Sequence, residues 1–206
     1  MRWLPGIRQV RLPLNLAAVL SVRTRRKRPE WAVTQTKEKN AMLTLPEIVE
    51  RGPQPYVAVR ERVSLGAMKP AVDRAFQKLF GWLGANGVEP VGAAFFKYNV
   101  IDMGGMLEVE FAVPIAKEVD AGGEITAAML PAGHYAQVKW TGPYDALVDV
   151  NAVLVGWAKE KGVRWDAQET PEGDRLAARI EIYENNPAEV EDPKDLVTTV
   201  AIKIAD

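Results

Sequence analysis

The chain of 206 residues contains no cysteine and a single histidine, His134. Without thiols neither a disulfide frame nor a zinc–thiolate centre can form, and one imidazole is too few for a histidine-built metal cluster. No metal site and no cofactor are therefore expected. Long apolar runs are missing as well. The longest near the start, Leu16 to Leu20, falls far short of the roughly 18 residues that a membrane span needs. With no membrane or secretory signal, the expected location is the cytoplasm. No Gly-x-Ser-x-Gly elbow, Walker loop or His-Glu-x-x-His motif occurs, and the glycine-rich stretches do not join a strand to a helix as phosphate cradles do. Nucleotide binding has no support, and His134, between Gly133 and Tyr135, reads as a turn residue rather than as a haem ligand or general base.

Charge is present in both signs but unevenly spread. Residues 1–41 hold ten Lys/Arg against Glu30 and Glu38, a net of +8, and the remainder holds 16 basic and 25 acidic residues, a net of −9. An acidic body argues against direct DNA binding by the main domain and suits neutral or cationic ligands. Residues 1–41 lack steady periodicity, are cut by Pro5 and Pro13, and carry a basic cluster from Arg23 to Arg28 that ends at Pro29. They read as a disordered basic extension. A presequence, a nucleic-acid-touching arm and a start codon assigned too early all fit, with the last preferred. The folded domain is expected to begin at Met42 and run to the end.

Within 42–206 the pattern becomes regular. A strand is expected at Tyr56 to Val63, a helix over Lys69 to Ala85, and strands over Pro90 to Asn99 and Met106 to Ile115. The helix carries Val72, Ala75, Phe76, Leu79, Phe80 and Leu83 as its apolar stripe and is stopped by Gly84 and Gly87. The same order then recurs: strands over Ile125 to Ala132 and Tyr135 to Thr141, a helix over Pro143 to Lys161, and strands over Leu176 to Asn185 and Thr198 to Ile204. Phe80-Gly81-Trp82-Leu83 parallels Val155-Gly156-Trp157-Ala158, and Tyr98-Asn99 parallels Tyr183-Glu184-Asn185. The expected fold is α+β, with two pseudo-symmetric strand-helix-strand-strand repeats, about 54–116 and 124–206, forming antiparallel sheets with a ligand cleft between them.

Ligand pockets favour such junctions and are lined by aromatics with a few polar groups. Tyr56, Phe96, Tyr98, Tyr135, Trp140, Tyr144 and Tyr183 lie in or beside the expected strands. Glu108 and Glu110 share a strand face, because side chains alternate with period two. A carboxylate among aromatic rings attracts organic cations, each cation–π contact adding roughly 0.5 to 2 kcal/mol. The competing arrangement puts both glutamates on a solvated outer face while Val109, Phe111 and Val113 point to the core. Trp82 and Trp157, at the helix ends, are expected in the core.

Gly133-His134-Tyr135, followed by Trp140-Thr141-Gly142-Pro143-Tyr144-Asp145-Ala146-Leu147, resembles the Gly-x-Tyr and Gly-Pro-Tyr-x-x-Leu signature of GyrI-like proteins, the small-molecule-sensing modules of AraC- and MerR-type regulators. The resemblance runs from about Thr44 to the end. It implies a stand-alone domain that senses or sequesters small, aromatic or cationic organic molecules. It also admits two alternatives: a hydrolase that destroys a reactive small molecule with a pocket glutamate, or an inhibitor that docks on a protein partner such as DNA gyrase. In that family the last strand usually carries a Thr-Glu pair with the glutamate facing the pocket. Here the pair is Thr198-Thr199, which puts Thr199 at the site and leaves Glu110, its counterpart in the first half, as the expected pocket carboxylate and the catalytic residue if there is one.

Overall fold

A computed structural model describes residues 41–102 and 105–206. The expectations for residues 1–40 fall outside these. Among the described residues eleven strands join in one antiparallel sheet: β1 (Met42–Leu43), β2 (Glu47–Arg51), β3 (Gln54–Val63), β4 (Phe95–Ile101), β5 (Leu107–Pro114), β6 (Ile125–Leu130), β7 (Gly133–Thr141), β8 (Ala167–Thr170), β9 (Gly173–Leu176), β10 (Arg179–Tyr183) and β11 (Val197–Lys203). Among the described residues two α-helices, α1 (Met68–Asn86) and α2 (Leu147–Glu160), accompany the sheet. The mixed α+β class and the antiparallel pairing are as the sequence predicts, and the strands form a single large sheet.

Helix α1 forms where the sequence places it. Ala71, Ala75, Leu79 and Leu83 recur at four-residue spacing and are buried. Val72 and Phe76 flank them half-buried, whereas Phe80, expected in the stripe, is 52% exposed. The helix ends at Gly87, whose φ of +61° is the left-handed conformation that only glycine takes without strain, and its N–H caps the carbonyls of Leu83 and Gly84. Helix α2 starts four residues later than expected, because Pro143 leads into a single 3-10 turn, Tyr144–Ala146. It buries Leu147, Val150, Leu154 and Ala158, and among them one polar residue, Asn151.

The strand order β1-β7-β11-β10-β4-β5-β3-β6 puts β4 beside β10, so the seam between the two expected halves is an ordinary antiparallel pair with Glu181 opposite Phe96. Strands β6 and β7 are six places apart in that order, roughly 29 Å across a flat sheet, yet only Pro131 and Ala132 join them. Such a link spans about 11 Å, so the sheet must curl. Its two faces are packed differently. On one, α1 covers Val57, Val109, Phe111 and Val113, and α2 covers Val138, Val200 and Ile202. Tyr183 and Ile101 touch both of these clusters, which places the helices on the same face. The opposite face closes around Tyr56, Phe95, Leu130, Tyr135 and Ile180. Trp82 and Trp157 are partly buried against the helix-side clusters.

The sequence reading misses β1, β2, β8 and β9. Each is at most five residues long and mostly exposed, so alternation has too few positions to show. His134 is the second residue of β7, paired with Glu50, and not a turn residue. The link that precedes the strand is Pro131 and Ala132.

Candidate functional site

Period-two alternation divides the ten expected site residues between the two faces. Phe96, Tyr98, Trp140, Tyr144 and Tyr183 pack in the helix-side clusters. Tyr56, Glu108, Glu110, Tyr135 and Thr199 belong to the opposite face, in register with Ala58, Ala112 and Ala201. A single pocket cannot hold both sets.

On the opposite face the register itself decides the surroundings of Glu110. Arg60 of β3 and Lys97 of β4 are its direct cross-strand neighbours. One carboxylate oxygen accepts from Arg60 Nε at 3.0 Å and Nη2 at 2.5 Å; the other accepts from Tyr56 Oη at 2.6 Å, with Lys97 Nζ 3.7 Å away. Glu110 is fully buried. Burial alone would raise its carboxyl, but Lys97, the Tyr56 hydroxyl and Arg60 outweigh this and hold it below the ordinary value. Burial pulls the Lys97 amine down despite Glu110, and that amine also donates to Asn99 Oδ1. Glu108 meets Arg60 at 3.7 Å. Both oxygens of the expected pocket carboxylate are thus occupied and its charge is compensated. Thr199 donates to Glu184 at 2.6 Å, and Tyr135 to the Pro131 carbonyl at 2.7 Å.

The helix face holds a different glutamate, one that the sequence reading passes over. In Arg179-Ile180-Glu181-Ile182-Tyr183 the isoleucines turn to the opposite face and Arg179, Glu181 and Tyr183 to the helices. Glu181 lies on β10 at the seam and is buried. Its Oε2 accepts from Tyr98 Oη at 2.8 Å and Tyr183 Oη at 3.1 Å, and its Oε1 accepts from Asn151 Nδ2 at 2.9 Å. Asn151 also accepts from Arg179 Nη2 at 2.8 Å, so the amide stands between the guanidinium and Glu181, and the two charges act on each other without a direct bond. Among the described residues, no cation forms an ion pair with Glu181. Burial first, and then the negative charge of Glu181 and the hydrogen bonds to it, hold the Tyr98 and Tyr183 phenols well above their ordinary value. The signal for Glu181 and Asn151 was present in the sequence: a glutamate amid strand isoleucines, and an asparagine on the apolar stripe of a helix.

Aromatic rings extend this network. Tyr183 lies edge-on to Phe96 at 4.6 Å and to Tyr144 at 5.2 Å, and Phe96 meets Phe111 at 4.9 Å. Two hydroxyls beside Tyr183 have no partner: Tyr144 Oη, and Oγ1 of Thr198, the direct cross-strand neighbour of Tyr183. A buried hydroxyl left unpaired costs about 1–3 kcal/mol. Trp140 donates its indole N–H to the Pro143 carbonyl at 3.0 Å and so braces the turn that presents Tyr144. No helix among the described residues is long and apolar enough to cross a membrane.

Solved structures share this fold. The EcmrR C-terminal domain aligns with a TM-score of 0.60 and 17% identity, over 79% of this chain and 98% of that one. EcmrR in complex with DNA aligns with a TM-score of 0.58 and 17% identity over 82% of this chain, which spans 60% of the EcmrR chain. SAV2435 bound to tetraphenylphosphonium aligns with a TM-score of 0.54 and 10% identity, over 79% of this chain and 94% of that one. No curated protein sequence matches significantly. The model of the GyrI-like small molecule binding domain matches residues 44–205. With the family pattern extending over nearly all of the described chain, the protein belongs to the GyrI-like small molecule binding domain family.

Proposed function

We propose that the protein binds, and so senses or sequesters, small aromatic or cationic organic molecules on the helix side of the β4–β10 seam, between the halves 54–116 and 124–206. The observation that carries this reading is Glu181: a buried carboxylate bonded to neutral donors alone, with aromatic rings around it and two unpaired hydroxyls beside it. Phenols and an amide stabilise the charge without cancelling it. An entering cation is therefore attracted by a partly desolvated carboxylate, whose charge Arg179 offsets only from beyond the Asn151 amide, and gains roughly 0.5 to 2 kcal/mol from each ring face it meets. Tyr144 and Thr198 offer hydroxyls to a ligand heteroatom. Glu110, by contrast, already carries two cationic neighbours.

Tetraphenylphosphonium, the cation bound by SAV2435, is a suitable probe, titrated by calorimetry. Saturable binding that weakens at least tenfold in Glu181→Gln, about 1.4 kcal/mol, is the expected result. Equal affinity in wild type and Glu181→Gln would remove the carboxylate from the site.

A further inference from the structure

A concavity of about 330 Å³ lies on the face opposite Glu181, where the curled sheet brings the β2–β3 connection towards the loop before β4. Its walls are largely apolar, with Phe95, Leu130, Ile180 and Ile182, and the half-buried Arg51 and the buried Tyr135 also line it. The Arg51 guanidinium sits 5.7 Å from the centre of the Tyr135 ring and is anchored at Nη2 by Gln137 Oε1 at 2.6 Å. Burial lowers the guanidinium's proton affinity, against the opposing pull of Tyr135 and Glu184. Glu184 is itself bonded to Thr199 and lies 4.0 Å from Lys139. No carboxylate among the described residues pairs with Arg51, and its buried Nε–H has no acceptor.

A half-buried guanidinium with an unmet donor, lining a largely apolar cavity, has the chemistry of a receptor for an amphipathic anion. A carboxylate supplies the missing acceptor in a charge-assisted bond, and a hydrocarbon tail takes the place of water against the isoleucines and Phe95. We infer that the cavity beneath Arg51 is a second ligand site that takes a small monocarboxylate with an apolar tail, independently of the Glu181 site.

The test uses octanoate as the probe, octanamide as its neutral counterpart, and the full chain. Octanoate is expected to bind saturably by calorimetry and to shift the Arg51 Nε–H resonance downfield, with octanamide at least tenfold weaker. Arg51→Leu removes the charge. Arg51→Lys keeps the charge but not the planar fork, so it separates specific pairing from loss of fold; both are expected to weaken octanoate at least tenfold. Glu181→Gln leaves octanoate affinity unchanged. The inference is overturned if octanoate does not bind, if octanamide binds equally well, if Arg51→Lys retains full affinity or the Nε–H resonance stays still, or if Glu181→Gln weakens octanoate, which would place the acid on the helix face.

Discussion

Glu110 and Glu181 are buried glutamates on opposite faces of one sheet, each bonded to a tyrosine hydroxyl, and they differ in the sign of what else surrounds them. Glu110 has Arg60 and Lys97 as cross-strand neighbours. Glu181 has Phe96 and Val200 in those places and draws its donors from Tyr98, Tyr183 and Asn151. Depth of burial does not separate them. The directly bonded partners do: the first is an ion cluster held by Arg60 and Lys97, and the second is a carboxylate whose direct donors are neutral, with the Arg179 charge held off by Asn151.

The sharpest way to break this comparison is to delete the Glu110 carboxylate. Glu110→Ala leaves Lys97 buried beside Arg60 with no anion and strands the Tyr56 hydroxyl, so a loss of about 3–5 kcal/mol in unfolding free energy is expected from urea denaturation. A loss no larger than that of Glu181→Ala would show that the two clusters are energetically alike.

A second test reads the same cluster through pH. The Glu110 carboxyl titrates below its ordinary value in the folded protein. The unfolded chain therefore takes up its proton first on acidification, and stability present above the ordinary carboxylate value is lost as pH falls towards the folded one. Melting temperatures of wild type and Glu110→Gln measured from neutral pH down to pH 3 should converge. Parallel curves would mean that Glu110 does not titrate as the cluster requires.

The smallest effect belongs to a pair outside both clusters. Lys78 and Glu124 approach to 2.6 Å, but both are exposed. Lys78→Ala is expected to change stability by no more than about 0.5 kcal/mol in the same denaturation experiment, and by less in high salt. A cost near that of Glu110→Ala would undo the argument that surroundings, and not ion pairing as such, set the scale.

Both helices and the long strands were legible in the sequence because each carries enough residues for its period to show. Ala75, Leu79 and Leu83 announce α1, and the alternation of Val109, Phe111 and Val113 with Glu108 and Glu110 announces β5. The candidate site was legible only in pieces. Phe96, Tyr98, Tyr144 and Tyr183 do meet on the helix face, but Glu110 was paired with them because a strand's alternation says which residues share a face and not which face the helices cover.

The sequence by itself determined the family, the α+β class, the positions of the main elements and the split of β5 into glutamates on one side and core residues on the other. These follow from local periodicity and from a short motif, which survive without knowledge of any partner strand. Tertiary structure alone decided that β4 pairs with β10, that both helices lie on one face, and that register sets Arg60 and Lys97 against Glu110 while leaving Glu181 among phenols. Strand pairing joins residues more than eighty positions apart, as with Tyr98 and Glu181, and a shift of one residue would exchange the faces. That distance is why the choice between the two carboxylates could not be read from the sequence.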